Sequence, residues 1–160
     1  MDGPQPDGDA RTDKPGSQMI ERLRTWILAV IMLGLLGTVT ELLLLEHYEQ
    51  PMQFVPLVLI VAAVAALVWE TRRRDATSLA TLGIVMVLFI LAGVLGMVAH
   101  FHGSAEYQLE LNPSMGTWVL LEKVLRAKAP PLLAPGMMMQ LGLLGLAYVF
   151  SDARYRGSSK

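Results

Sequence analysis

The sequence predicts an all-helical membrane protein, a bundle of four transmembrane helices with a short amphipathic helix on its outer side. The chain of 160 residues is 53% hydrophobic, and its mean hydropathy is +0.46. This apolar excess is concentrated in four long runs between polar ends, which is typical of membrane spans rather than of a soluble core. The net charge of −1 and the absence of cysteine argue against nucleic-acid binding and exclude disulfides and thiolate metal ligands.

Each apolar run is predicted to form one helix of a membrane domain that covers residues 19–150. The predicted spans are about 24–45, 54–70, 79–99 and 132–150. A helix of 20 residues crosses the ~30 Å of a bilayer's hydrocarbon core. Pro56 falls in the first turn of the second span, where a missing N–H is tolerated, and Thr77 or Ser78 is a candidate cap for the third. The tail 1–18, rich in Pro, Gly and Asp, is predicted to be disordered, and 151–160 forms a second polar tail.

Basic residues indicate the orientation of the bundle in the cell (cytoplasmic) membrane. Ten Lys and Arg residues lie in the two terminal segments and the 71–75 turn, against three in the loop 100–131. Because Lys and Arg accumulate on the cytoplasmic side, both termini are predicted to be cytoplasmic, and loops 46–53 and 100–131 to face outward. The asymmetry disfavours a re-entrant or three-span arrangement.

The outer loop 100–131 is too long to be only a connector. Residues 106–111 alternate between polar and apolar, which is a strand pattern. A helical pattern begins at Pro113, and its apolar face carries Trp118, Leu121, Val124 and Leu125. Such a helix either lies flat in the outer membrane interface or packs over the mouth of the bundle. The sequence leaves both interpretations open.

Small residues form stripes that predict how the spans pack, since lipid provides no hydrophobic force between helices. The stripes are Gly34, Gly37 and Thr38; Ala62 and Ala66; Gly93 and Gly96; Gly142 and Gly145. Glu41 continues the first stripe and His100 the third, so both are predicted to point into the bundle. A carboxylate within a span costs ~2.5 kcal/mol or more, so Glu41 and the fourth-span residue Gln140 are candidates for a proton or polar intramembrane site. A structural hydrogen bond of Glu41 is the alternative.

All three histidines gather at the predicted outer end, together with several carboxylates. Mixed nitrogen and oxygen ligands suit Zn, Cu, Mn or Fe. The candidate metal ligands are His47, His100, His102, Glu46, Glu49 and Glu106. His100 and His102 converge only if the helix ends beside them, which Gly103 permits. Ordinary polar residues at a water interface are the competing interpretation, and a haem held by His47 and His100 between the first and third spans is a further hypothesis.

Several segments resemble small uncharacterised four-span bacterial membrane proteins. They are Glu41 with His47-Tyr48-Glu49, Asn112-Pro113-Ser114-Met115-Gly116, Ala134-Pro135-Gly136 and the run from Gln140 to Tyr148. The resemblance implies the four-span topology and carries no activity with it.

The sequence favours a non-enzymatic accessory or structural membrane subunit whose outer loop meets a partner. The alternative is a bundle that binds or conducts a metal ion or proton, centred on Glu41 and the outer histidines. Expected partners are the lipid bilayer and either a second copy or another membrane protein, with no nucleic acid. An enzyme is the least favoured class, because the chain has neither a Gly-rich phosphate loop nor a credible Ser-His-Asp set.

Overall fold

The computed structural model describes residues 15–44, 51–126 and 133–152, and within them the fold is all-helical, as predicted. The helices are α1 Pro15–Leu44, α2 Phe54–Arg73, α3 Ala76–Leu111, α4 Thr117–Leu125 and α5 Leu133–Phe150, with a 3₁₀ turn at Pro51–Gln53 before α2. Among these, α1, α2 and α3 are long and apolar enough to cross a membrane, and α5 is a shorter apolar helix. This is the composition of a membrane-embedded helical protein.

Large apolar side chains cover the outside of the long helices. Leu33 on α1 is 71% exposed, Val61 on α2 is 70% and Leu95 on α3 is 69%. A soluble monomer seldom exposes a continuous apolar surface of this kind. The exposed apolar faces therefore agree with helices that are solvated by lipid.

Helix α5 packs along α3 and also against α1. Glycines bring these backbones together, as the small-residue stripes predict. A Cβ built on Gly142 of α5 would lie 2.6 Å from Cγ1 of Ile90 and 2.7 Å from the carbonyl oxygen of Met86 on α3. Likewise, a Cβ on Gly93 would lie 2.6 Å from the carbonyl oxygen of Pro135. The two helices are thus in backbone-to-backbone contact over two turns.

The third helix is much longer than the predicted span. Its 36 residues extend over about 54 Å at helical rise, so it continues well past a ~30 Å hydrocarbon core. The prediction of a strand at 106–111 is wrong, because α3 continues through these residues to Leu111. A lone strand leaves its backbone N–H and C=O groups unpaired, whereas a continued helix pairs them internally.

The predicted amphipathic helix is present as α4, and it packs against α3. Val124 is fully buried, while Trp118 is 82% exposed. The turn before α4 is held by Asn112, whose Oδ1 accepts from the hydroxyl of Ser114 at 2.9 Å. The helix therefore packs on the bundle through Val124 and directs its Trp outward.

Both ends of the bundle are now defined by residues. We call the end that the basic residues predict to be cytoplasmic the inner end, which contains residues 15–25, 70–78 and 148–152, and the opposite end, with residues 41–44 and 100–125, the outer end. Helix α1 begins at Pro15, a residue type that suits the first helical position, so residues 15–18 are helical rather than part of a disordered tail. Residues 1–14 and 153–160 lie outside the described residues.

The turn between α2 and α3 is fastened by Asp75, not by Thr77 or Ser78 as the N-cap. The Ser78 N–H donates to Oδ1 of Asp75 at 2.7 Å, and the Asp75 N–H donates to Oγ of Ser78 at 3.3 Å. This is a capping box. The preceding residue, Arg74, closes α2 in the left-handed conformation with φ 50°, which is costly for a residue with a Cβ.

Gly142→Ala should weaken the α3–α5 contact, because the added methyl group meets backbone that has no room to move aside. We expect the free energy of unfolding to fall by about 1–3 kcal/mol, measured by unfolding in detergent micelles. Gly136→Ala on the same helix is the matched control, since no described residue of another helix lies within 4 Å of its built Cβ. Equal stabilities for the two variants would contradict the close contact.

Asp75 should make stability depend on acidic pH. The backbone N–H of Ser78 donates to its carboxylate and holds the pKa of Asp75 below its ordinary value. The folded state therefore binds this proton less readily than the unfolded chain. The resulting stabilisation is complete above the unfolded pKa, about 3.9, and is lost as the pH falls through the lower folded pKa.

Asp75→Asn keeps a capping oxygen and removes the charge. We expect the melting temperatures of the wild type and Asp75→Asn to differ most near neutral pH and to converge as the pH is lowered below about 4. If the difference in melting temperature were independent of pH, ionisation of Asp75 would not contribute to the stability of the fold.

Candidate functional site

Glu41 lies at the edge of the contact face of α1 rather than inside the bundle. The buried positions of α1 in this region are Ile31, Leu35, Thr38 and Leu42. Glu41 is half-buried and lines an open groove of about 500 Å³ together with Gly37 and Thr40. The predicted stripe of small residues is therefore split between two surfaces of α1. Gly34 and Thr38 face a neighbouring helix, whereas Gly37 and Glu41 face away from the bundle. The physical reason is that α5 covers a narrower strip of α1 than the small residues suggest.

His100, which like Glu41 is predicted to point into the bundle, is instead exposed and does not line this groove. In the described part of the chain, α1 packs on α5 and α2 rather than extensively on α3. The first and third spans are thus not extensively packed on each other. This arrangement also separates the two helices on which the haem hypothesis depended.

His100 and His102 do not converge, because α3 does not end at Gly103. Two residues apart on a continuous helix, their side chains leave in nearly opposite directions. His102 and Glu106, four residues apart and both exposed, share a face. Among the described residues, no group of three or more His, Asp or Glu side chains is placed to hold a metal ion. Glu46, His47 and Glu49 lie outside the described residues, so the metal site stays a prediction.

Gln140 is exposed on α5, and Gly142 is buried against α3. Two residues apart on a helix, they point in nearly opposite directions. Gln140 does not line the groove beside Glu41. The structure does not bring the two predicted intramembrane polar residues together.

A buried network of hydrogen bonds and an ion pair surrounds Arg24 of α1 at the inner end. Its Nη2 lies 2.8 Å from Oδ2 of Asp152, and its Nη1 donates to the Tyr148 carbonyl oxygen at 2.7 Å and to Oγ of Ser151 at 3.3 Å. The guanidinium also stacks on the Tyr148 ring, 4.0 Å from the ring centroid. Arg24 is only 6% exposed. A buried cation thus caps the C-terminus of α5, where carbonyl oxygens lack helical partners and the helix dipole favours positive charge.

A buried carboxyl group stands at the opposite kind of helix end. Glu70, near the C-terminus of α2, is 1% exposed, and it accepts a 2.5 Å hydrogen bond from the hydroxyl of Ser78. Ser78 is the third residue of α3, so the carboxylate lies at the N-terminus of that helix, where the dipole favours negative charge. Ser78 therefore joins Glu70 to the Asp75 capping box.

Arg24, Glu70 and Asp152 all line one pocket of about 330 Å³ between α1, α2 and α5. We call this pocket and its lining side chains the inner polar site. Across the described residues, every buried side-chain nitrogen or oxygen has a hydrogen-bond partner. The site is therefore held in a fixed arrangement by its own contacts, which is a requirement for selective binding.

Sequence reasoning missed the inner polar site because it used Arg24 only as a marker of orientation. A signal was present: Arg24, Glu70 and Asp152 each fall at the same end of a predicted span. Opposite charges at equal depth on different helices are candidates for pairing. The pairing itself depends on which helices are neighbours, and the sequence does not give that.

No protein-family model, curated protein or solved structure matches the chain. The arguments about function therefore depend on the residues and geometry of this chain.

Replacing Arg24 should be far more damaging than replacing an exposed arginine. Arg24→Ala leaves the Asp152 carboxylate and the Tyr148 carbonyl without the guanidinium, and we expect a loss of about 3–5 kcal/mol in unfolding free energy. Arg126→Ala is the control, because its ion pair with Glu122 at 3.0 Å is 80% and 59% exposed at the two side chains. That variant should lose about 0.5 kcal/mol or less. Similar losses, measured by unfolding in detergent, would argue against a stabilising role for the buried pair.

Proposed function

We propose that the chain is a four-span integral protein of the cell membrane with both termini in the cytoplasm. The fourth span is α5, whose 18 residues cover about 27 Å, close to the thickness of the hydrocarbon core. Its packing against α3 and α1 supports this placement. The inner end, which carries Arg72, Arg73 and Arg74, is then the cytoplasmic end.

We further propose that the protein is a non-enzymatic accessory subunit that binds another membrane protein through α1. The groove beside Glu41 carries this proposal. The described residues that line it all belong to α1: Leu33, Leu36, Gly37, Thr40, Glu41 and Leu44. No described residue of another helix comes within 4 Å of a Cβ built on Gly37, so a second helix has space to approach the α1 backbone closely.

The charge of Glu41 favours a particular kind of occupant. A carboxylate at span depth is costly unless a donor or cation neutralises it. Two copies of the chain related by a two-fold axis along the membrane normal would bring two Glu41 carboxylates face to face. A helix of a different protein that carries a basic or amide side chain at this depth is the complementary partner.

Proton or metal-ion binding at Glu41 is a second candidate function, supported by the access that the open groove gives to this carboxylate. Elemental analysis and a visible spectrum of the detergent-purified protein test the metal and haem forms of this hypothesis. A bound metal that is lost in Glu41→Gln would favour it over the accessory role.

Photocrosslinking in native membranes tests the accessory role. A photoreactive side chain at Leu36, in the groove, should give an adduct with a transmembrane helix of another protein. The same probe at Val61, which is 70% exposed on α2, is the control and should react mainly with lipid. The crosslinked peptide should contain a basic or amide residue near the level of Glu41.

Two further variants make the result specific. Gly37→Leu fills the groove and should abolish the adduct, and Glu41→Gln should reduce it about tenfold, as expected when a charge-assisted hydrogen bond becomes a neutral one. An adduct of twice the mass of the chain would show that a second copy occupies the groove. That outcome, or reaction with lipid alone at Leu36, would refute the proposed partner.

A further inference from the structure

The inner polar site has the size and lining of a small-molecule site. Its volume of about 330 Å³ falls at the lower end of the ~300–1,000 Å³ of ligand pockets. The lining contains charges of both signs: the carboxylates of Glu21, Glu70 and Asp152, and the guanidinium groups of Arg24 and Arg74. Hydroxyl groups complete the polar lining. Such a mixture complements a ligand that carries both a cation and an anion.

Two exposed tryptophans indicate the depth of this pocket. Trp26 on α1 is 72% exposed and Trp69 on α2 is 40% exposed. Trp26 follows Arg24 by two residues, and Trp69 precedes Glu70 directly. In membrane proteins exposed Trp side chains gather at the level of the lipid headgroups. Given the membrane placement proposed above, the pocket opens at headgroup depth.

The conformation of Arg74 points to a use for its side chain. Its φ of 50° is the only positive φ among non-glycine residues in the described ranges. Glycine is the usual residue at such a left-handed helix end. A glycine would relieve the strain but would also remove the guanidinium from the pocket lining. Arg74 is exposed, so it lies at the rim, within reach of a ligand entering from the surface.

We propose that the inner polar site binds a phosphate–ammonium zwitterion, the chemistry of an ethanolamine phospholipid headgroup. Arg24 is already engaged by Asp152, Ser151 and Tyr148, so Arg74 holds the phosphate. Glu21, an exposed carboxylate at the rim, accepts hydrogen bonds from the ammonium group.

The lining also predicts selectivity among headgroups. Among the described residues that line the site, three carboxylates stand against two guanidinium groups, a balance that disfavours an anionic headgroup. A primary ammonium donates hydrogen bonds to carboxylates, and a quaternary ammonium has no N–H to donate. The site should therefore bind the headgroup of phosphatidylethanolamine in preference to the headgroups of phosphatidylcholine and phosphatidylglycerol.

Native mass spectrometry of the detergent-purified full chain tests this proposal. Dioleoyl phosphatidylethanolamine, phosphatidylcholine and phosphatidylglycerol are titrated separately. We expect the ethanolamine lipid to bind about tenfold more tightly than the other two, the effect of one charge-assisted hydrogen bond. Equal binding of the three lipids, or preference for the anionic lipid, would overturn the proposal.

Arg74→Gly is the decisive variant, because it removes the guanidinium while relieving the left-handed strain, so the fold is retained. It should weaken ethanolamine-lipid binding about tenfold. Arg73→Ala is the matched control: it removes the same charge one residue earlier, from an exposed position that does not line the pocket. Equal losses in the two variants would mean that a diffuse positive surface binds the lipid, which would refute a defined site.

A competition experiment distinguishes a phospholipid from a soluble phosphate–ammonium molecule as the ligand of this site. Glycerophosphoethanolamine, which has no acyl chains, is added in competition with the lipid. Displacement of the lipid would show that the headgroup alone is recognised, and retention would show that the acyl chains are also required. Neither Arg74→Gly nor this competitor touches α1 at Leu36. Failure of lipid binding thus leaves the crosslinking test of the accessory role intact.

Discussion

The structure depends most on one buried contact, the guanidinium of Arg24 against the C-terminus of α5. Arg24 and Tyr148 are 124 residues apart in the chain, so this contact joins the first helix to the last. The Asp152 carboxylate neutralises the buried guanidinium. The guanidinium in turn donates to a carbonyl oxygen that the helix leaves unpaired. It also places positive charge at the negative end of the α5 dipole. With α5 fixed at this end, the glycine-lined contact between α5 and α3 determines the spacing of the bundle. Because that contact brings Gly142 against the Met86 carbonyl oxygen, neither helix can shift far without a clash.

The two ends of the bundle use polar residues in different ways. At the inner end, buried charges stand at helix termini that favour their sign, and Ser78 joins Glu70 to the cap of α3. At the outer end, polar residues are distributed along exposed helical surfaces. Because α3 continues past Gly103, its two histidines are held apart. On α1, Glu41 lines an open groove. The inner end is therefore organised around internal polar contacts, whereas the outer half of α1 has a groove that the other described helices leave uncovered.

The two proposals depend on different ends of α1 and on different chemistry. The α1 groove is apolar apart from one carboxylate, which suits a transmembrane helix with a complementary donor. The inner polar site is lined by both signs of charge at the level of exposed Trp26 and Trp69, which suits a headgroup. Both sites include residues of α1, one towards each end of that helix. An accessory subunit with a bound lipid beside its partner-binding helix is consistent with both.

The sequence by itself determined the helical, membrane-embedded class, the approximate bounds of the apolar helices, the amphipathic α4 and the close approach at Gly93 and Gly142. These follow from apolar run length, from helical periodicity and from side-chain size, all of which are local. Only the tertiary structure decided that Arg24 meets Asp152, that Glu70 meets Ser78, and that Glu41 and His100 do not face each other. It also decided that residues 106–111 continue a helix, because the local alternation had no neighbouring strand to pair with. Periodicity tells which residues share a face of a helix, but the packing of the other helices decides what covers that face.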